Sequence, residues 1–158
     1  MKGPAGRDDA AKERVLFLCT HNSARSQMAE SWLRALAGGR YEAASAGTEA
    51  TQVHPLAIRA MAEVGIDLTP HTSKIFDRFL HDRWDWVITV CDAANEACPV
   101  FPRAAQRLHW SFDDPSRTAG TEEARLAVFR RIREEIREKL LSWLADQRPA
   151  DAVTIRRP

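Results

Sequence analysis

A cysteine and an arginine separated by five residues, Cys19 and Arg25, lie between the apolar run 15–18 and a helix-like stretch that begins at Gln27. At a strand-to-helix turn, backbone N–H groups point into one concavity, and an arginine adds a planar fork for two oxygens of a tetrahedral anion. This positive field favours the thiolate of Cys19, which is the nucleophilic form of the side chain. We therefore predict a nucleophile within a binding loop for phosphate or a close mimic of it. The predicted oxyanion-binding residues are Thr20, His21, Asn22, Ser23, Ala24, Arg25 and Ser26.

Two further cysteines occupy positions that suggest a dithiol relay. Cys91 directly follows the apolar run 86–90, as Cys19 follows its own, and Cys98 comes seven residues later. If the two strands are neighbours in a parallel sheet, their ends lie about 4.8 Å apart and both thiols open at the same edge. A zinc pair fits less well, because six intervening residues exceed the usual structural spacing. Two buried cysteines without a chemical role are the alternative.

The segment between these two cysteines is rich in helix formers, which predicts a helix from Asp92 to Ala97 in the reduced protein. An intact helix would separate Cys91 from Cys98 by about 10 Å along its axis. A disulfide requires Cα atoms within roughly 7 Å. We therefore expect the segment to unwind when a disulfide forms between the two cysteines.

A carboxylate is predicted at the same edge of the sheet, in the sequence Asp113-Asp114-Pro115. Pro115 stiffens a loop that can aim a side chain at the bound anion. A tetrahedral oxyanion that loses an oxygen needs a proton donor, and Asp114 is the candidate. An ordinary Asp-Pro turn is the alternative.

Charge and composition exclude several classes of function. The 158 residues include 23 basic and 22 acidic side chains, so neither nucleic acid nor an anionic membrane is an expected partner. No apolar run approaches the roughly 20 residues that span a bilayer. The stretch from Met1 to Arg14 is polar, so we expect a cytoplasmic, reducing location, in which cysteines are more often chemical than structural. The nucleotide-binding pattern Gly-x4-Gly-Lys-Ser/Thr is absent, and the five histidines show no metal-ligand spacing.

The elements that must position these residues alternate along the chain. Strands are predicted at 15–18, 41–45, 86–90 and 107–110, and helices at 27–36, at 55–64 and after Thr121. The last helix has a predicted core stripe of Leu126, Phe129, Ile132, Ile136, Leu140 and Trp143. The pattern predicts a single α/β domain, with a parallel four-stranded sheet covered by helices on both faces. The domain is predicted to span 14–146, between a disordered tail at 1–13 and a flexible tail at 147–158.

Taken in order, the motifs resemble the thioredoxin-coupled arsenate reductases, a family built on the low-molecular-weight tyrosine phosphatase fold. The matching segments are Cys19–Glu30, Ser45–Thr48, Gly65–Asp67, His71–Ser73, Cys91, Cys98 and Asp113–Pro115. The resemblance implies that Cys19 is the nucleophile, Arg25 the anion clamp and Asp114 the general acid. It also implies that Cys91 and Cys98 are the relay pair. The implied partners are arsenate or a phosphate-like oxyanion and, as reductant, thioredoxin, glutaredoxin or a low-molecular-weight thiol.

The resemblance implies no required cofactor, although some members hold a structural potassium ion. That site maps to Asn22, Glu30, Ser45 and Asp67. In the phosphatase branch an aromatic residue typically follows Asp-Pro, whereas this chain has Ser116 and Arg117. Arsenate reduction is the leading hypothesis, and phosphomonoester hydrolysis is the alternative.

Overall fold

Four parallel strands form the centre of the computed structural model, which describes residues 12–147. They are β1 (Glu13–Cys19), β2 (Tyr41–Gly47), β3 (Trp84–Thr89) and β4 (Ala104–His109), in the order β2-β1-β3-β4. Strand β1 pairs with both β2 and β3, and Leu18 lies opposite Thr89. The strands that precede Cys19 and Cys91 are therefore neighbours, as predicted.

Four α-helices and two 3₁₀-helices accompany the sheet. The α-helices are α1 (Arg25–Ala37), α2 (Pro55–Ala62), α3 (Asp92–Glu96) and α4 (Glu122–Asp146), and the 3₁₀-helices are Phe76–Phe79 and Pro115–Arg117. Since side chains alternate along a strand, β1 divides the core into two parts. Val15 and Phe17 pack with α1, α2 and α4, while Leu16 and Leu18 pack on the other face with the 3₁₀-helix Phe76–Phe79. This arrangement confirms the predicted α/β fold.

The long final helix α4 follows the predicted pattern. Its six predicted core residues are all buried, and the Thr121 hydroxyl accepts a hydrogen bond from the Ala124 N–H at 3.1 Å as an N-cap. Within residues 12–147, none of the helices has the length and apolarity needed to cross a membrane. Most of the predicted tails, 1–13 and 147–158, lies outside the described residues.

Several predicted ends differ from the structure by a few residues. Strand β4 ends at His109 and begins at Ala104, earlier than the predicted 107–110, because exposed polar residues in it hid the strand pattern. Helix α1 begins at Arg25 rather than at Gln27. The clamp residue therefore sits in the first turn of the helix, which fixes its backbone.

Candidate active site

The predicted nucleophile lies at the carboxyl end of the central strand β1. Cys19 is 2% exposed, and its Sγ lies 2.8 Å from Oγ of Ser26 in the first turn of α1. Because the Ser26 hydroxyl accepts from Asn22, its own proton is available to donate to Sγ of Cys19 and orient it. The sequence thus places the sulfur at a strand end, where a parallel sheet binds its ligands.

The loop between β1 and α1 is held by Asn22, which is fully buried and has a left-handed φ of 51°. Nδ2 of Asn22 donates to Ser26 Oγ at 2.8 Å and to Ser45 Oγ at 2.9 Å. Its Oδ1 accepts from Nε2 of Gln27 at 2.9 Å and from the backbone N–H of Lys74 at 2.8 Å. Asparagine tolerates the left-handed region, and these bonds hold it there. The loop is therefore shaped before any anion binds.

A glycine at the end of β2 lets the loop lie close to the sheet. A Cβ on Gly47 would lie 2.6 Å from the Thr20 carbonyl oxygen, 2.7 Å from that of Glu49 and 2.8 Å from the Asn22 nitrogen. All three neighbours are backbone atoms and cannot rotate away. In the sequence Gly47 is visible only as part of the motif Ser45–Thr48, with no local signal for this role.

We expect Gly47→Ala to displace the oxyanion loop, because the added methyl group overlaps backbone on three sides. The free energy of unfolding should fall by about 1–3 kcal/mol, as in other overpacked sites. Chemical denaturation measures the loss of stability, and titration with inorganic phosphate measures the effect of the displaced loop on anion affinity. Gly39→Ala is the matched control, since nothing lies within 4 Å of a Cβ at that position. Equal stability and equal phosphate affinity in the two variants would contradict this account of the loop.

The clamp and the predicted general acid face each other across the site. Nη2 of Arg25 lies 3.5 Å from Oδ2 of Asp114, and Nη1 donates to the Phe112 carbonyl at 3.0 Å. Oδ1 of Asp114 accepts from the backbone N–H of Ser116 at 3.0 Å and from its hydroxyl at 2.7 Å. Ser116 stands where the phosphatase branch typically has an aromatic residue. In the structure it orients the carboxylate of Asp114.

The same contacts set the charge of Asp114. Burial favours its neutral form, but the Ser116 hydrogen bonds and the Arg25 charge outweigh burial and lower the pKa of Asp114 below its ordinary value. An oxyanion in the loop would compete for Arg25 and bring negative charge to the carboxylate. Both changes raise the pKa of Asp114, so anion binding itself promotes the protonated form that a general acid requires.

We expect Asp114→Asn to lower the turnover rate of the reaction on the bound oxyanion about 100-fold or more, because the leaving oxygen loses its proton donor. The rate of the unmodified enzyme should fall as pH rises through the pKa that Asp114 has in the complex. The variant should lose that alkaline fall, since its amide does not titrate. A pH–rate profile of both proteins makes the comparison. An unchanged profile would contradict the assignment.

A cleft of about 400 Å³ joins this site to the second cysteine. It is lined by Thr20, His21, Arg25, Cys91, Asp92, Ala93, Ser111, Phe112, Asp113, Asp114 and Arg117. Sγ of Cys91 lies 3.4 Å from Oγ1 of Thr20, the residue directly after the nucleophile. Cys91 is 3% exposed and caps helix α3, where its sulfur accepts from the Ala94 N–H. The structure therefore brings Cys91 to the oxyanion loop.

The third cysteine lies elsewhere. Cys98 is half-buried and packs with Leu16 and Leu18, whereas Cys91 packs with the core on the other face of the sheet. Burial raises the pKa of the Cys98 thiol, although Arg107 partly offsets this effect. All three cysteines are free thiols. A bond between Cys91 and Cys98 therefore requires the intervening segment to move.

The residues mapped to a potassium ion are partly gathered in the structure. One carboxylate oxygen of Glu30 accepts from the Ser45 hydroxyl, and the other pairs with Arg34. Asp67 uses Oδ1 to accept from the N–H and hydroxyl of Thr69, at 2.9 and 2.7 Å. These oxygens, like Oδ1 of Asn22, accept hydrogen bonds from donors within the protein. Each of these oxygens has a further lone pair, and the potassium site stays a prediction. Within residues 12–147 no group of three His, Cys, Asp or Glu is arranged to hold a metal.

His54, one of the five histidines without metal-ligand spacing, supports the loop between β1 and α1. The backbone N–H of His54 donates to the Ser23 carbonyl at 2.9 Å, and its Nδ1 accepts from the Leu56 N–H as the N-cap of α2. Burial, reinforced by Arg125, lowers the pKa of His54 and keeps the imidazole neutral. Helix α2 is thereby tied to the loop. The position before Pro55 was the one sequence signal for this cap.

A Cys-x5-Arg loop at the carboxyl end of the central strand of a four-stranded parallel sheet defines a class of phosphatase-like proteins that bind tetrahedral oxyanions. The profile described as low molecular weight phosphotyrosine protein phosphatase matches residues 14–152, and the chain belongs to this family.

Relatives within the family carry a more particular name. The chain is similar to an arsenate reductase of Halalkalibacterium halodurans, with 46% identity over 132 residues, covering 84% of this chain and 95% of the relative. A solved arsenate reductase in the phosphate binding state has a TM-score of 0.73 and 34% identity, covering 85% of this chain and 98% of that one. A thioredoxin-dependent arsenate reductase of Corynebacterium glutamicum has a TM-score of 0.63 and 28% identity, covering 90% and 67%. The resemblance to arsenate reductases is confirmed.

Proposed function

We propose that this protein reduces arsenate to arsenite with three cysteines and passes the resulting disulfide to a thiol reductant such as thioredoxin. The observation that carries the proposal is the position of Cys91, whose sulfur lies at the oxyanion loop of Cys19. Hydrolysis of a phosphate ester needs the loop and an acid but no second thiol. The similarity to arsenate reductases supports the same reaction.

The first step uses the loop and its acid. The Cys19 thiolate attacks arsenic(V), an arsenic–sulfur bond forms, and one arsenate oxygen leaves with a proton from Asp114. Arg25 holds two of the remaining oxygens, and the Ser26 hydroxyl stabilises the thiolate before attack. Arsenic remains arsenic(V) after this step.

The second step is the reduction. Cys91 loses its proton to solvent and attacks Sγ of Cys19, a sulfur–sulfur bond forms, and the arsenic–sulfur bond breaks with its electron pair left on arsenic. Arsenic(V) becomes arsenic(III), which leaves as arsenite, and the two thiols are oxidised to one disulfide. The Thr20 hydroxyl, 3.4 Å from Cys91, is placed to orient the attacking sulfur.

The third step is an exchange without net oxidation. Cys98 attacks Cys91, a new disulfide forms, and Cys19 leaves as a thiolate ready for another arsenate. The burial of Cys98 keeps it as a thiol until the segment moves, which delays its attack. The dithiol of thioredoxin then reduces the Cys91–Cys98 disulfide. The Corynebacterium glutamicum relative is named as thioredoxin-dependent, which supports this choice of reductant.

Phosphomonoester hydrolysis is the second candidate, because the family is named for that activity and the loop, clamp and acid suffice for it. Arg117 and Ser116 stand where the phosphatase branch has an aromatic, which disfavours an aryl substrate. We expect arsenate-dependent NADPH consumption with thioredoxin and thioredoxin reductase, and weak hydrolysis of an aryl phosphate in parallel. Strong hydrolysis without arsenate reduction would overturn the proposal in favour of the phosphatase.

A further inference from the structure

Helix α3, which separates the two relay cysteines, is tied to the sheet by a histidine on β4. Nε2 of His109 lies 2.8 Å from Oδ1 of Asp92, the first residue of the helix. Since a carboxylate only accepts hydrogen bonds, the imidazole is the donor. Hydrogen bonds from His109 and Ser111 lower the pKa of Asp92, which keeps it ionised.

The other nitrogen of the same imidazole contacts a buried hydroxyl at the end of β3. Nδ1 of His109 lies 2.7 Å from Oγ1 of Thr89, which is 1% exposed at the end of β3. Because Nε2 of His109 is the donor to Asp92, Nδ1 of the neutral ring accepts the single proton of the Thr89 hydroxyl. Thr89 therefore orients His109, and His109 ties helix α3 to the sheet at Asp92. We call these three residues, Thr89, His109 and Asp92, the latch.

The latch holds the segment that the relay must rearrange. Asn95 N–H donates to the Cys91 carbonyl and Ala97 N–H to the Ala93 carbonyl, so the segment is helical in the free-thiol state. Cys91 and Cys98 pack with different cores, and five helical residues lie between them. The attack of Cys98 on Cys91 requires the helix to open, whereas the helix in place keeps Cys91 beside Thr20, the neighbour of Cys19 in the chain.

We propose that His109 is a positioning residue for the relay, which holds Cys91 at the oxyanion loop through Asp92 and must release it before the second disulfide forms. The inference rests on the proposed function. In the exchange, the Cys19–Cys91 bond breaks, the Cys91–Cys98 bond forms, and the Cys98 proton passes to solvent. Breaking the latch speeds this exchange, since less structure has to open.

Hydrogen exchange of the reduced protein tests the latch without arsenate. In His109→Ala and in Asp92→Ala, the amides of Asn95 and Ala97 should exchange about three- to tenfold faster than in the unmodified protein, as expected for the loss of a partly exposed charged hydrogen bond. Asp92 is exposed, so its variant folds even if the loss of His109 disturbs the sheet. His81→Ala, an exposed histidine before β3, is the control and should change nothing. Unchanged exchange in both latch variants overturns the latch.

A double-mutant cycle separates a specific bond from general weakening of the helix. In the double variant His109→Ala with Asp92→Ala, the two effects on exchange should combine to less than their sum in free energy, because both substitutions remove the bond between His109 and Asp92. Ala93→Gly speeds exchange about fivefold by helix propensity alone, and its effect should add to that of His109→Ala. Additivity of the His109 and Asp92 effects would reduce His109 to ordinary packing and overturn the inference.

The kinetic arm distinguishes the latch from the proposed function. After one equivalent of arsenate, acid quenching and mass analysis follow the conversion of the Cys19–Cys91 disulfide into the Cys91–Cys98 disulfide, and this step should be faster in Asp92→Ala than in the unmodified protein. A slower or equal rate overturns the latch and leaves the relay intact. No disulfide in the unmodified protein overturns the proposed function, while the exchange result still decides whether the latch exists.

Discussion

Replacement of the nucleophile by Cys19→Ser is expected to lower arsenate reduction by a factor of about 10⁴ or more, as loss of a covalent nucleophile does elsewhere. A serine hydroxyl is not ionised near neutral pH, and a disulfide with Cys91 can no longer form. Arsenite production with an excess of reductant measures the effect. Retention of near-normal turnover would show that the site is wrongly assigned.

Binding of inorganic phosphate is the control for this variant. The loop is held by Asn22, and the predicted anion ligands are backbone N–H groups and Arg25, none of which the substitution removes. Phosphate affinity should therefore remain close to that of the unmodified protein. Arg25→Lys should behave in the opposite way, with affinity reduced about thirtyfold, because one charged hydrogen bond of about 2 kcal/mol is lost.

The second large effect is expected for Cys98→Ser, which should release one equivalent of arsenite and then stop. The first two steps need only Cys19 and Cys91, so a Cys19–Cys91 disulfide accumulates. Cys91→Ser should release no arsenite, because nothing breaks the arsenic–sulfur bond. Arsenite per protein and the mass of cysteine-containing peptides distinguish the two variants.

Ala97→Ser is the matched control for these changes, since it places a hydroxyl beside Cys98 and keeps all three thiols. It should turn over repeatedly with thioredoxin. Full turnover of Cys98→Ser under the same conditions would contradict the relay and leave Cys91 as the only partner of Cys19.

The sequence predicts those features that depend on local pattern. The apolar runs before Cys19 and Cys91 were sufficient to place both at strand ends, because parallel strands are buried on both faces and read as continuous apolar segments. The apolar stripe on α4 was also predictable from the sequence, since a helix repeats every 3.6 residues. The order of motifs then identified the family.

Individual hydrogen bonds and close approaches between residues distant in sequence could not be predicted. Asn22 and Lys74 are 52 residues apart, and Thr89 and His109 are 20 apart, so nothing local links them. The proximity of Gly47 to the Thr20 carbonyl is set by the pairing of β1 with β2.

The most direct test of the three-cysteine reduction is a single turnover of the reduced protein without thioredoxin. With one equivalent of arsenate, one equivalent of arsenite should appear, the protein should lose two hydrogens in mass, and peptide analysis should place the disulfide between Cys91 and Cys98. Cys19 should remain free for alkylation. Three free thiols and no arsenite after incubation with arsenate would contradict the account.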